Sequence, residues 1–579
     1  MSGFLKEHRF ILISAIFLAL AVISPTLLFP LLAGDSYKGI NLGEWDDDAA
    51  YIAKGREILE SHSLGNIFLK IGKNDSSDPH QVYIEYLLLA PVRMLGLSSV
   101  AKSHIVALYG FYAFLGVALL ILFIYFFVLN LSGNKLLSAA AALFAVGGHE
   151  LVKLYHLPVT AVAYNFNIFS RPIMPVYGLL ALFIYINLLA KSLRESGWRC
   201  VFWAGISFGA LFYVYPYTWT FALALTGSLF LIYLFLRDWG QAKKVFYISA
   251  IGFAVGSYAL VLFLSFISSE IGKQIAGFTT FISHAPAPFS KLSFLILIMA
   301  IIYAYKNRDK KDYPILLAII LASWITLNQQ VITGRDPQGV DHYFWYFTIP
   351  TSIVAGSYVS WALVWGWERG KLILQKYGSA LLGIVIIVAF LNTAGQQYAR
   401  TIVMMGTKEY AQSYRPIIDT LNRDPKPGVI LSSELFYGEF FPVYTDHDLF
   451  WAMHAFNFAT PIERMKDALY LYAYLDKEAR GDFAGALYKI DAGGVKKAYG
   501  RHYSSIYTAL SREKTIDLLS GEYKKIVDNP EGIINILKKA EVNYIVWDKN
   551  TNPEWDLSPL ANNLQEIAAS NNIYLYALK

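Results

Sequence analysis

Residues 105–131 read IVALYGFYAFLGVALLILFIYFFVLNL, a run without a single charged side chain. About 20 apolar residues in an α-helix are enough to cross the hydrocarbon core of a bilayer, so this stretch predicts a membrane-spanning helix. Comparable apolar runs recur on both sides of it. About eleven predicted spans result: 10–33, 105–131, 136–148, 172–190, 200–215, 218–236, 245–267, 290–305, 314–331, 344–366 and 377–393.

The composition supports the same class. Of the 579 residues, 55% are hydrophobic and 16% are charged, against about 25% charged in an average soluble domain. We therefore predict a polytopic α-helical membrane protein. The first run is long enough to be a retained anchor, and no small-residue cleavage site follows it. Cys200 is the one cysteine, which excludes an intrachain disulfide and a multi-cysteine metal site.

Basic residues orient the predicted spans. Clusters that start at Lys191, Arg237, Lys306 and Trp367 fall at every second crossing, which marks the cytoplasmic loops by the positive-inside rule. The net charge of +6 is explained by these loops, so we expect no nucleic acid partner. The outward segments are then 34–104, 149–171, 268–289, 332–343 and a tail from about 394.

The tail differs in composition, because charged residues occur throughout it and no further span follows. GVILSSEL from Gly428 and VNYIVWDK from Val542 are typical of buried strands, whereas IINILKKA from Ile533 and LANNLQEIAAS from Leu560 have helical spacing. We predict two domains, a multi-span domain of residues 1–393 and an extracytoplasmic α/β domain of residues 394–579.

Three adjacent carboxylates follow the first span, in GEWDDDAAY at 43–51. Asp48 is a candidate N-cap for a helix along the membrane surface, one face of which carries Tyr51, Ile52, Gly55, Ile58 and Leu59. Capping needs one aspartate, and three repel one another unless a cation or a donor group separates them. A carboxylate at a lipid and water boundary can also accept a proton or bind a divalent metal.

Asp47 and Asp48, then Tyr51 and a helix through Leu59, resemble the first outward loop of the GT-C class of integral-membrane glycosyltransferases. The segment PHQVYIEYLLLAPVRMLG at 79–96 is similar to the stretch that leads those enzymes into their next span. The resemblance implies a GT-C-like fold and a donor in which a sugar is linked to a polyprenyl phosphate.

The resemblance also implies roles for the aspartates. Asp47 is the expected general base, with Asp46 or Asp48 as its orienting or metal-binding neighbour, and a requirement for Mg or Mn stays open. The implied reaction moves a sugar, with inversion, to an acceptor hydroxyl at the outer face of the plasma (inner) membrane. The acceptor is a glycan, a lipid or a protein of the cell envelope.

A leaving phosphate needs fixed positive charge or hydrogen-bond donors. The candidates are Arg335 and His342 in TGRDPQGVDHYFW (333–345) and Arg171 in NIFSRPIMP (167–175). Simpler roles stay open: Arg171 can extend to lipid headgroups, Arg335 can pair with Asp336, and His342 can cap a span. Where GT-C enzymes carry further acidic residues, this chain has Glu150 and Glu270.

Other features limit the function. No WWDYG motif occurs in the tail, which argues against protein N-glycosylation. The run YVYPYTWTF from Tyr213 predicts an interfacial aromatic belt with a turn at Pro216, or a surface that stacks on a sugar. A transporter or flippase of lipid-linked sugars would need charges within the spans, and these spans have almost none. A polymerase or ligase, and a non-catalytic membrane assembly protein, are the remaining alternatives.

Overall fold

The computed structural model describes residues 2–42, 47–62, 64–73, 83–152, 166–195, 197–287, 291–307, 312–337, 341–424, 426–458, 460–489 and 512–579. Asp46, one of the predicted carboxylates, lies outside these ranges. The described chain is mostly helical, and a five-stranded sheet lies near its C-terminus.

The helices of the first 411 residues run as follows: α1 Ser2–Glu7, α2 Arg9–Val22, α3 Ser24–Ala33, α4 Asp48–Leu59, α5 Ile84–Met94, α6 Ser98–Ser103, α7 Ile105–Ser132, α8 Lys135–Gly147, α9 Val176–Arg194, α10 Trp198–Ala210, α11 Pro216–Phe235, α12 Trp239–Ser268, α13 Glu270–Thr279, α14 Lys291–Lys306, α15 Tyr313–Leu327, α16 Gln329–Thr333, α17 Asp341–Tyr343, α18 Ile349–Trp365 and α19 Glu368–Ala411. A two-stranded antiparallel ribbon joins β1 (Thr280–Ile282) to β2 (Arg335–Pro337).

Six of the described helical segments are long and apolar enough to cross a membrane, and a seventh is formed if α2 and α3, bent by 53°, make one span. The predicted spans near 136–148, 200–215, 290–305 and 314–331 coincide with the shorter helices α8, α10, α14 and α15. The predicted helices are therefore present, but the count of about eleven spans is not confirmed.

Local chemistry explains the boundary between α7 and α8. Gly133 adopts a left-handed conformation, with φ at 64°, that ends α7. The side chain of Asn134 then accepts hydrogen bonds from the backbone N–H groups of Leu136 and Leu137, each at 3.0 Å, and so caps α8. Two apolar helices are thus separated by a tight turn.

Helix α19 connects the membrane helices to the tail. Its 44 residues correspond to about 66 Å at 1.5 Å per residue, roughly twice the thickness of the hydrocarbon core. At the end of this helix Tyr410 donates a hydrogen bond to the Asp548 carboxylate, 2.7 Å away, and Tyr414, just beyond, donates another at 2.6 Å. One continuous helix therefore runs through position 393, where the domain boundary was predicted. The division into two domains stays a prediction.

The described residues of the tail form eight further α-helices and five strands. The helices are α20 Arg415–Leu421, α21 Leu435–Gly438, α22 Phe441–Tyr444, α23 Ile462–Leu475, α24 Lys477–Gly481, α25 Phe483–Tyr488, α26 Arg512–Val527 and α27 Gly532–Lys539; the strands are β3 Val429–Ser432, β4 Asp448–Leu449, β5 Val542–Asp548, β6 Leu564–Ser570 and β7 Ile573–Leu578. The sheet has the order β4-β3-β5-β7-β6, with parallel pairing around β3 and antiparallel pairing around β7. The two predicted strands and the predicted helix from Ile533 are confirmed.

The helical prediction for LANNLQEIAAS is wrong. Residues 558–563 form a 3₁₀ turn and residues 564–570 form β6. Asn571 and Asn572 both have positive φ, at 48° and 61°, which is the conformation of a two-residue hairpin turn. This turn folds β6 back against β7, and strand pairing overrides the helical spacing of the apolar residues.

The tail packs directly on the first loop, residues 34–104. The side chain of Gln412 accepts a hydrogen bond from the backbone N–H of Lys38 at 2.9 Å and donates one to the Ile40 carbonyl at 2.7 Å. The backbone N–H of Leu449 donates to the Phe68 carbonyl at 2.7 Å. These contacts fix the loop, and with it α4, between the membrane helices and the tail.

Candidate functional site

Helix α4 presents a polar face to a cavity. Asp47, Ala50, Tyr51 and Lys54 line this cavity, and their spacing of i, i+3, i+4 and i+7 places them on one side of a helix. Ten of the twelve residues of this helix are buried, so burial is not confined to the one predicted apolar face, and the place of the helix along the membrane surface stays a prediction. Its cap also differs from the prediction, since Asp47 is the N-cap residue, without a side-chain capping bond, and Asp48 is the first helical residue.

The cavity, called the site cavity below, has a volume of about 710 Å³. Its lining comes from α4 and α5, the segment around Arg171, the helices α11 to α13, the short helices α16 and α17, and the tail. One wall is apolar and is formed by Trp219, Phe263, Phe266, Ile267 and Ile275. Ile267 is 42% exposed, so this wall continues to the outer surface of the helices.

Asp47 forms an ion pair with Arg171, in which Nη2 of the guanidinium donates a hydrogen bond to Oδ2 of the carboxylate. Nη1 of Arg171 donates a hydrogen bond to the Tyr346 hydroxyl, and the guanidinium lies 5.8 Å from the ring centres of both Tyr51 and Tyr346. The side chain of Asp47 is 31% exposed and that of Arg171 is 11% exposed. The site cavity therefore contains a carboxylate and a guanidinium held next to each other.

A hydrogen-bond network fixes the segment that carries Arg171. The backbone N–H of Asn167 donates to Gln397 Oε1 at 2.9 Å, and its side-chain amide donates to the Val146 carbonyl at 2.9 Å. Asn167 also accepts from the backbone N–H of Phe169 at 3.0 Å. Arg171 itself is extended, with ψ at 147°, as expected for a residue that precedes proline. The guanidinium is thus positioned from α8 and α19.

His342 lies in the same cavity. Its ring stacks on Tyr217 at 4.8 Å with an angle of 11° between the planes, and it meets the edge of Tyr346 at 5.2 Å. Burial, and to a smaller extent the positive charge of Arg171, lower the pKa of His342 to about 4. The imidazole is therefore neutral near pH 7 and acts as a hydrogen-bonding group instead of a cation.

The cavity contains a second ion pair, which was not predicted from the sequence. Lys54 Nζ lies 3.3 Å from Glu85 Oε1, and both side chains are buried. Burial raises the pKa of Glu85, although Lys54 opposes this. The i, i+3, i+4, i+7 spacing from Asp47 would have indicated Lys54. Glu85, on α5, gave no such signal.

The tail contributes a third polar group. His454 lines the cavity, and its Nδ1 lies 2.9 Å from Oε2 of Glu439, a fully buried carboxylate. The backbone N–H of His454 donates to Oε1 of the same carboxylate at 2.7 Å. Glu439 therefore fixes both the ring and the backbone of a histidine at the tail side of the cavity.

The aromatic run from Tyr213 belongs to this cavity too. Tyr215, Pro216, Tyr217, Trp219 and Thr220 all line it, and Pro216, where a turn was predicted, is the first residue of α11. These rings face the cavity and are not only an interfacial belt.

Asp48 does not share the cavity of Asp47. It is buried and lines a separate space of about 40 Å³ with Asn41, Tyr109 and Ser170. Successive residues at the start of a helix point in different directions, which separates the two carboxylates. The role predicted for Asp48 as a neighbour of the base stays a prediction.

The remaining predicted residues lie elsewhere. Arg335 is exposed on β2, Glu150 is buried with an oxygen 3.2 Å from His149 Nδ1, and Glu270 is exposed in the first turn of α13. None of the three is among the lining residues of the site cavity. Their proposed roles stay predictions, whereas Asp47, Arg171 and His342 are brought together.

The described residues around Asp47 do not form a set of oxygen ligands for Mg or Mn, because the group next to this carboxylate is the Arg171 guanidinium. Among the residues that the structure describes, the one group with metal-ligand spacing is Glu57, Glu60 and His62. Its carboxylates already pair with lysines, since Lys73 lies 3.0 Å from Glu57 and Lys102 lies 3.0 Å from Glu60. Asp46 lies outside the described residues, so the requirement for Mg or Mn stays a prediction.

Comparisons with known proteins bear on the fold. The chain is similar to the Archaeoglobus fulgidus oligosaccharyltransferase in complex with Zn and sulfate, with a TM-score of 0.50 and 14% identity over 93% of this chain and 68% of that one. A likeness to ArnT from Cupriavidus metallidurans bound to undecaprenyl phosphate has a TM-score of 0.46 and 12% identity, over 97% of each chain. No protein-family model and no curated protein matches the chain.

The chain has the GT-C fold. Oligosaccharyltransferases are GT-C glycosyltransferases, so the resemblance carried by the first loop is confirmed at the level of the fold. The likeness and the apolar helices together make the chain a multi-pass membrane protein. At such low identity they leave the reaction and its substrates to be argued from the site.

Proposed function

We propose that this protein is an inverting glycosyltransferase that moves a sugar from a polyprenyl-phosphate donor to an acceptor hydroxyl in the site cavity. The observation that carries the proposal is the contact of Asp47 with Arg171 beside an apolar wall that reaches the lipid-facing surface. A base, a fixed cation and a route for the isoprenoid chain of the donor thus meet in one space.

Asp47 acts as the general base. Its carboxylate removes the proton from the acceptor hydroxyl as the oxygen attacks the anomeric carbon of the donor sugar. A bond forms between this carbon and the acceptor oxygen, and the bond to the phosphate oxygen breaks on the opposite face. The electron pair leaves with the polyprenyl phosphate, and the anomeric configuration inverts.

Arg171 and His342 bind the phosphate. A guanidinium has five N–H donors in a fork that suits phosphate oxygens, so Arg171 can hold Asp47 and Tyr346 and still bond to a third group. Neutral His342 adds a hydrogen bond without adding charge. Both groups are held in place before the donor binds, which is the arrangement that stabilises developing negative charge most effectively.

The isoprenoid chain of the donor lies along the apolar wall of α11, α12 and α13. Burial of isoprenoid surface against Trp219, Phe263 and Phe266 gives binding energy at about 25 cal/mol per Å². The acceptor enters from the tail side, where His454 and Asn457 line the cavity. We place the cavity and the tail on the outer face of the plasma membrane, as the basic loops predict.

The test is transfer by the purified protein in lipid nanodiscs, with a panel of radiolabelled polyprenyl phosphate sugars and a membrane extract as the source of acceptor. Asp47→Asn should lower the transfer rate about 10²- to 10⁴-fold, the usual contribution of a general base. Asp35→Asn is the matched control, since Asp35 is an exposed aspartate of the same loop, and its transfer rate should stay at the wild-type value.

Transfer at the wild-type rate by Asp47→Asn would refute the role of the base. A transporter or flippase, reconstituted in lipid vesicles instead of nanodiscs, would move the intact lipid-linked sugar across the vesicle membrane. It would release no polyprenyl phosphate. Release of polyprenyl phosphate in step with the labelled product therefore separates the two functions.

A further inference from the structure

A second large cavity lies outside the proposed site. It has a volume of about 1020 Å³ and shares no lining residue with the site cavity. Its walls are the bent pair α2–α3, the turn from α6 into α7, and the part of the tail around α20 and α22. We call it the lateral cavity.

Two separate walls of the lateral cavity change from apolar to polar at corresponding points. On α7 the lining side chains from Ile105 to Phe114 are apolar, and directly before α7 they are Lys102, Ser103 and His104. The nine-residue step from Ile105 to Phe114 covers about 14 Å of helix, close to half of the roughly 30 Å hydrocarbon core. This wall therefore matches the depth of one leaflet.

The other wall follows the same order in the opposite chain direction. Leu20, Ile23 and Leu27 line the cavity from α2–α3, and Tyr37 and Asn41 line it beyond the end of α3. A ligand that fits between these walls has an apolar part beside the helices and a polar part beside the loop and the tail.

The lateral cavity opens toward lipid. The helices α2 and α3 meet at a bend of 53° on one wall of the cavity. Apolar side chains at the rim are exposed, with Leu20 at 39%, Leu27 at 47% and Phe111 at 54%. Water in such a space leaves its hydrogen bonds unsatisfied on the apolar side, so acyl or isoprenoid chains fill it more favourably.

The polar end holds fixed charges. Arg56 is buried and already bonded to Glu60, to the Val443 carbonyl and to Asp446, so it supports the wall. Lys102 and Arg415 are more accessible, at 27% and 35%. Lys102 pairs with Glu60 at 3.0 Å and with Asp446 at 3.5 Å, and Arg415 pairs with Asp419 at 2.9 Å. An ammonium and a guanidinium at this level suit a phosphate group.

We infer that the lateral cavity binds a phosphate-bearing lipid, with its chains along α2–α3 and α7 and its phosphate at Lys102 and Arg415. Two sources share this chemistry, a bilayer phospholipid and a polyprenyl phosphate. The inference does not rest on the glycosyl transfer proposed for the site cavity.

The test is native mass spectrometry of the delipidated full-length protein, titrated in one arm with a palmitoyl-oleoyl phospholipid and in the other with undecaprenyl phosphate. Gly110→Leu fills the lateral cavity, because a Cβ at this position meets one atom, Thr26 Cγ2 at 3.9 Å, and leucine also favours a helix over glycine. Lys102→Gln with Arg415→Gln removes the phosphate partners. Lys38→Gln with Arg423→Gln is the charge-matched control, since both are exposed and outside the cavity lining.

We expect Gly110→Leu to lose one lipid adduct that the wild type and the control bind. We expect the double variant Lys102→Gln with Arg415→Gln, called the charge variant, to bind that lipid about tenfold or more weakly. If Gly110→Leu loses the adduct in the phospholipid arm, the ligand of the lateral cavity is a bilayer phospholipid. If it loses an adduct in the undecaprenyl phosphate arm, the ligand is a polyprenyl phosphate. Thermal unfolding of each variant shows that it is folded. Equal adduct binding by Gly110→Leu and the wild type in both arms overturns the inference. So does an adduct that the charge variant binds as tightly as the wild type does.

Discussion

At the scale of single residues, His342 is held neutral between two tyrosine rings. Its pKa of about 4 lies below the ordinary value of about 6.5, because of burial and of nearby Arg171. The unfolded chain therefore takes up a proton first as pH falls, and stability is lost between about pH 6.5 and pH 4.

We predict that the wild type loses about 2 kcal/mol of unfolding free energy through this group between pH 7 and pH 5, and that His342→Asn removes this part of the loss. Thermal unfolding at both pH values measures the difference. In the same variant the pH dependence of transfer above pH 6 should be unchanged. An activity limb near pH 6.5 that disappears in His342→Asn would show that the histidine acts as a cation.

Residue roles were predictable where a short pattern had a physical meaning. The position of Asp47 after the first span indicated its chemistry, and Arg171 was found because outward cations are few. The contact between them links residues 124 positions apart, which spacing alone does not predict. Glu85 and His454 were missed for the same reason, since each reaches the cavity from a segment without a local signal.

At the scale of elements, α4 is held at both ends. Asp47 contacts Arg171 at its start, and Arg56 contacts Glu60, Val443 and Asp446 near its end. The second set of contacts joins the helix to the tail. We infer that the tail helps to position Asp47 through α4.

We predict that Arg56→Gln destabilises the protein by about 2–4 kcal/mol, because it leaves carboxylates without their buried partner. Lys70→Gln is the control. Its pair with Glu541 is exposed, at 51% and 63%, and should contribute less than about 1 kcal/mol. The midpoint of thermal unfolding in one detergent compares them. Equal shifts would mean that the Arg56 contacts do not hold α4.

The element predictions succeeded where apolar runs were long and failed where two periodicities compete. LANNLQEIAAS satisfies a helical spacing, yet the Asn571–Asn572 turn makes its second half a strand. The spans near α8 and α10 show another limit, since thirteen-residue helices can be buried among other helices without crossing the bilayer alone.

At the scale of the whole molecule, the first loop and the tail must lie on one side of the membrane for the site cavity to work as proposed. Cys200 makes this testable, since it is the one cysteine of the chain and follows a predicted cytoplasmic loop. Asp35 and Glu531 are exposed positions in the first loop and the tail.

We predict that a membrane-impermeant maleimide applied to intact cells labels Asp35→Cys and Glu531→Cys, each in a Cys200→Ser chain. It should label wild-type Cys200 only after the cells are opened. Labelling of Asp35→Cys and Glu531→Cys from opposite sides would contradict the arrangement.

The most direct measurement is photo-crosslinking with a polyprenyl phosphate that carries a diazirine in the isoprene unit next to the phosphate, followed by peptide mapping. We expect labelled peptides from residues 215–220 and 263–276, the apolar wall beside Asp47 and Arg171, and competition by an unlabelled polyprenyl phosphate sugar. Labelling that leaves both peptides unmodified would contradict the claim that the donor reacts in this cavity.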